Sequence, residues 1–190
     1  MLKIISSAAC ALCLTSAANA QDTVTWQDNI QGWTVVIDRT IDNSCFIISG
    51  FEDELLLRFQ FNAVQQNLQF IVANINWDSL ENGQDYDMEV AFGDRDSWVS
   101  KAKGHRWHDI LPSLVMSVPV ADQQASNFMK EFTAVGSVRI SHEGSEIANL
   151  ALAGAGEAVA AMLDCQAAMA NAKPLKKLGA DPFADDKEKI

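Results

Sequence analysis

His105 and His108 stand three residues apart in the run Gly104-His105-Arg106-Trp107-His108-Asp109. In one helical turn, imidazoles at that spacing share a face and could hold a metal ion. On a strand, the odd spacing sends them to opposite faces. His142 would add a third nitrogen, and Asp94, Asp96 or Asp109 a carboxylate. A catalytic zinc needs three protein ligands and an open position, so this set is the raw material of a metal-binding protein or a metal-dependent hydrolase. The short motif is common by chance. It also sits between Gly104 and Trp107, which read equally as a solvated loop with the indole packed on a sheet. No metal site is favoured on this reading, and no cofactor is expected.

Other chemistry-bearing residues fall short of a set. Asp85, Asp87, Asp94 and Asp96 flank one turn, but their spacing matches no calcium loop, and outward carboxylates are the ordinary wet face of a strand. No Gly-x-Ser-x-Gly is present, and no serine has a motif-placed histidine. Gly154-Ala155-Gly156 precedes a helical pattern but lacks the third glycine and the lysine of a phosphate-binding turn. No catalytic residue is assigned.

The cysteines read through the N-terminus. Lys3, the apolar run Ile4–Leu14 and Ala18-Asn19-Ala20 have the layout of a signal peptide, residues 1–20, cleaved after Ala20. Cys10 and Cys13 fall inside it and match a lipidation site poorly. Cys45 and Cys165 remain, and two cysteines in an oxidising compartment predict one disulfide between them. The competing reading is a pair of free thiols. There is no Cys-x-x-Cys for disulfide exchange. No later stretch is long and apolar enough to span a bilayer, so no transmembrane segment is expected after cleavage. Without Lys3 the chain has 13 basic and 25 acidic residues. That balance disfavours nucleic acid and anionic membranes as partners.

The elements that would position these residues are mostly strands. Leu55, Leu57, Phe59 and Phe61 alternate onto one face, with Arg58 and Gln60 turned away. Gln66–Trp77 is apolar on both parities, with Leu68, Phe70 and Val72 on one and Ile71, Ile75 and Trp77 on the other; a bulge or a change of sheet would account for this. Tyr86, Met88, Val90 and Phe92 form the cleanest alternation. Lys103–Asp109 reads as irregular. Ala121, Ala125, Phe128 and Phe132 fall at helical spacing. Ser137–His142 and Glu146–Leu152 form a hairpin about Glu143-Gly144. A closing helix follows, with Ala155, Val159, Met162, Leu163, Gln166 and Met169 on one stripe and Cys165 at its edge.

The fold class is therefore mainly β: an antiparallel β-sandwich with one short helix and a C-terminal helix packed on the sheet. Residues 21–31 read as a polar leader, 32–170 as a single domain and 171–190 as a disordered tail. The tryptophans read mainly as core, although Trp98 and Trp107 could line a small-molecule site.

Trp33-x-Val35, Cys45, a run of strands, then Leu150-x-Leu152-x-Gly154 with Ala158 and Leu163 form a recognisable layout. It resembles the invasion-associated locus B family of small exported proteins of Gram-negative bacteria. It is also similar to accessory proteins of type VI secretion with the same strand–glycine–helix ending. The resemblance spans roughly Trp33 to Met169. It implies a periplasmic β-sandwich with no established enzymatic chemistry, so no catalytic residues carry over. The expectation is a periplasmic or secreted, non-enzymatic protein with a protein partner in the cell envelope.

Overall fold

Leu57 and Phe59 on one strand, Phe70 and Val72 on the next, and Phe128 and Phe132 on a helix are all buried against one another. The computed structural model describes residues 22–107 and 110–171. The segment read as a signal peptide, His108, Asp109 and the tail from residue 172 lie outside the described residues. The strands are β1 (Thr23–Ile30), β2 (Trp33–Asp38), β3 (Ser44–Gly50), β4 (Leu55–Asn62), β5 (Asn67–Asn74), β6 (Asp85–Phe92), β7 (Trp98–Trp107) and β8 (Leu111–Pro119). Helix α1 (Gln123–Ala134), β9 (Ser137–His142), β10 (Ser145–Ala151) and helix α2 (Ala155–Asn171) complete the order.

The ten strands form one continuous antiparallel sheet in the order β1-β2-β3-β4-β5-β8-β7-β6-β9-β10. The fold is mainly β and sandwich-like, with both helices packed on the sheet. Alternation explains the main core, because every second residue of β4, β5, β6 and β8 faces the helices. Phe59 stacks on Phe132 at 4.7 Å, and Phe92 meets Phe128 edge-on at 5.0 Å. Asp122 caps α1 by accepting from Gln124 N at 3.0 Å, and Ala125, Phe128 and Phe132 form its buried face.

Four details depart from the sequence reading. The polar leader contains β1, an edge strand whose alternation is hidden by two register shifts against β2. Lys103–Trp107 is not irregular but the second half of β7, paired with β8. β5 has no bulge, since its register with β4 runs unbroken from Leu68 to Asn74; it is buried on both faces. Ala155, Val159 and Met162 of the expected stripe of α2 are buried, but Leu163 is 47% exposed, and Ala158 and Cys165 complete the buried face. The reason is covalent. Cys45 and Cys165 are bonded, which turns Cys165 to the centre of the interface. One residue on, Gln166 Oε1 accepts from Cys45 N at 2.9 Å.

Gly154 lets α2 begin where it does. Its φ is +77°, and a Cβ there would lie 2.6 Å from Gln31 Cβ. Gly154→Ala is expected to lower stability by more than about 1–2 kcal/mol, the left-handed penalty for an L-residue. Gly144, with φ +76° and no atom near a built Cβ, is the control. Thermal melts of both variants should show a larger loss at Gly154. Equal losses would mean that contact with Gln31 costs nothing.

Candidate functional site

β4 turns Leu56, Arg58, Gln60 and Asn62 away from the helices, as its alternation requires. These side chains are largely shielded from water. β4 is interior to the sheet, and its neighbours on this second face are Phe46 of β3 and Ile71 of β5, which are 4% and 2% exposed. Buried polar groups must then bond to one another, and here they do so in a chain. Arg58 Nη2 donates to Asp38 Oδ2 at 2.7 Å, and Arg58 Nε donates to Gln60 Oε1. Gln60 Nε2 donates to Gln69 Oε1, and Gln69 Nε2 to Gln65 Oε1 at 3.1 Å. At the other end, Asp38 Oδ1 accepts from Thr40 N at 3.0 Å and Thr40 Oγ1 at 2.5 Å.

Two aromatic rings hold the guanidinium. Its carbon lies 3.6 Å from the Phe46 ring centre and 5.2 Å from that of Trp107. A delocalised, weakly hydrated cation suits such surroundings better than an ammonium would. Burial pulls Arg58 below its ordinary pKa, while the hydrogen bond and charge of Asp38 work to raise it. Burial alone would raise Asp38. The hydrogen bonds from Thr40 and Arg58, with the Arg58 charge, outweigh it and hold the carboxyl below its ordinary 3.8.

This row is the floor of a groove of about 860 Å³. Gln60, Gln65, Gln69 and Ser117 form an amide-rich side, and Trp107, Ile110 and Leu111 an apolar one. Of the eight Lys and Arg between residues 22 and 171, Arg58, Lys103 and Arg106 line it; among the described residues the acidic lining is Asp22 and Asp38. Lys103 is bonded to Asp85 at 2.7 Å, and Arg106 Nη2 donates to the Asp78 carbonyl at 2.7 Å. On a chain with 25 acidic residues, this is a nearly neutral strip.

The residues singled out from the sequence divide. His105 and Trp107 both line the groove, with ring centres 6.2 Å apart. Burial pushes His105 below its ordinary 6.5, which leaves a neutral imidazole near pH 7. His142 lies on β9, where Nδ1 donates to the Asp87 carbonyl at 2.6 Å and the ring packs on Tyr86. Trp98 lies apart from the groove, against Phe128, with Nε1 donating to Glu131 Oε2 at 2.8 Å. Asp87 pairs with Lys101, and Asp94 and Asp96 border the hollow beside Trp98. His108 and Asp109 fall outside the described residues. Among the described residues, no three His, Cys, Asp or Glu side chains come together to hold a metal. No described helix is long and apolar enough to cross a membrane.

Arg58, Asp38, Gln60 and Gln69 went unassigned in the sequence. A signal for them existed. Phe46 between Cys45 and Ile47, and Ile71 between Phe70 and Val72, place apolar residues on both parities of β3 and β5. Strands buried on both faces bury whatever their neighbour places between them.

Fold and groove together define a class: an all-antiparallel sheet wrapped on two helices, with a polar cleft on its other face. The fold is similar to that in the crystal structure of invasion associated protein B from Bartonella henselae, with a TM-score of 0.53 and 9% identity. The match covers 76% of this chain and 99% of that one, and the likeness is one of fold. No family model and no curated protein matches the chain.

Proposed function

We propose that the chain is exported to the periplasm or beyond, and works there as a non-enzymatic, envelope-associated binding protein whose contact surface is the groove over Arg58. The observation that carries this reading is how the charged groups of the groove are held. A general acid or base works best with a pKa near the operating pH. Asp38 is instead held as a carboxylate, its pKa kept below the ordinary value by the hydrogen bonds from Thr40 and Arg58 and the Arg58 charge, which outweigh burial. Arg58 is in turn tied to Asp38 and Gln60. Such a floor suits recognition better than proton transfer. The disulfide suits an oxidising compartment. The fold likeness to an invasion associated protein supports the envelope.

The test is made in intact cells. A photo-crosslinking residue at Ile110, which is 70% exposed on the groove's apolar side, should capture a specific envelope component. Fractionation of the same cells should find the chain outside the cytoplasm. A cytoplasmic chain, or turnover of a small substrate by the purified protein, would overturn the reading. A small-molecule ligand is the second reading, favoured by Trp107 standing at the groove.

A further inference from the structure

We infer that the groove over Arg58 binds a neutral oligosaccharide, an inference that rests on the groove being the contact surface. The first ground is the order of donors and acceptors along its floor. Asp38 offers only acceptors, Arg58 only donors, and Gln60, Gln65 and Gln69 offer both. All belong to one hydrogen-bonded chain, so their orientations are fixed before a ligand arrives. An anion would meet the Asp38 carboxylate and the amide oxygens with acceptors only. A cation would meet Arg58. A row of hydroxyls, each both donor and acceptor, answers the alternation without leaving either partner unmet. Among the described residues Arg58 Nη1 is engaged by neither Asp38 nor Gln60, and the side chain keeps 12% of its surface exposed.

The second ground is charge. Among the described residues the lining has Arg58, Lys103 and Arg106 against Asp22 and Asp38, and Lys103 is also paired with Asp85. The groove thus has little net charge, while the chain around it is strongly acidic and repels anions at long range. The third ground is shape. About 860 Å³ lies within the range that holds small organic ligands, roughly 300–1,000 Å³. Trp107 and Leu111 supply an apolar shelf along one side, suited to the C–H face of a sugar ring, opposite the amides that would read its hydroxyls.

The experiment uses the full exported chain with its disulfide intact, on an array of neutral and acidic oligosaccharides. Hits are titrated by calorimetry. At least one neutral oligosaccharide should bind, Trp107→Ala should weaken it tenfold or more, and Trp107→Phe should recover most of the loss. Trp26→Ala, on β1 and outside the groove lining, should leave it unchanged. Thermal melts establish that each variant is folded. Binding confined to acidic glycans, no binding at all, or binding indifferent to Trp107→Ala would each overturn the inference. If the Ile110 crosslink still captures an envelope protein while the array is silent, the saccharide inference falls and the binding role stands.

Discussion

Replacing Cys45 and Cys165 together by alanine is expected to lower the unfolding free energy by about 4–5 kcal/mol. The bond joins residues 120 positions apart, and in the chain-entropy model a loop of that length removes much of the freedom of the unfolded chain. It also acts on the folded side. It fixes the rotation of α2 on β2 and β3, and it places Gln166 where its carbonyl accepts from Cys45 N. Alanine is the better replacement because both positions are fully buried, and serine would add two buried hydroxyls. Urea unfolding checks the result. With a slope of about 2 kcal/mol per molar for a domain of this size, the midpoint should fall by about 2 M. A shift under about 0.5 M would show that α2 is held by packing through Ala158 and Met162, with the bond adding little.

Arg58→Met is expected to cost about 3–5 kcal/mol, because it leaves the Asp38 carboxylate buried without its cation. The two side chains are 12% and 9% exposed, so solvent screens them little. Asp38→Asn should cost a comparable amount by stranding the guanidinium between Phe46 and Trp107. Removing both charges in Arg58→Met/Asp38→Leu should recover much of either loss, since a buried pair and a well-packed apolar replacement are often close in energy. Acid gives an independent check. The folded Asp38 pKa lies below its unfolded value, so its contribution is fully present above about pH 5 and is lost as pH falls through the depressed value. In Arg58→Met the carboxyl has lost the partner that held it down, and protonation relieves its burial. The stability gap between wild type and variant should therefore narrow on acidification from pH 7 toward pH 3. A gap independent of pH would mean that the loss is one of packing against Phe46 and not of charge.

Much of the fold was legible because its information is local. The alternation of Tyr86, Met88, Val90 and Phe92 needs no partner strand to be read, and it gives β6 and its buried face. The spacing of Ala125, Phe128 and Phe132 gives α1 in the same way, and Glu143-Gly144 gives the β9–β10 hairpin. Strand β1 was lost where two register shifts break the period, although Val24 and Trp26 carry strand propensity.

The site was legible only in part, since burial of a polar side chain is a property of its neighbours. By itself the sequence determined that Arg58 and Gln60 point away from Leu57 and Phe59, because successive residues of a strand must face opposite ways. It could not determine that this other side is closed. That was decided by β3 and β5 arriving beside β4, and β8 beside β5, with Phe46, Ile71 and Val115 on the same face, and by β7 bringing Trp107 over the guanidinium. Pairings between segments so far apart in the chain leave no period in any one of them. Only the assembled sheet turns a strand's outward arginine into the floor of a groove.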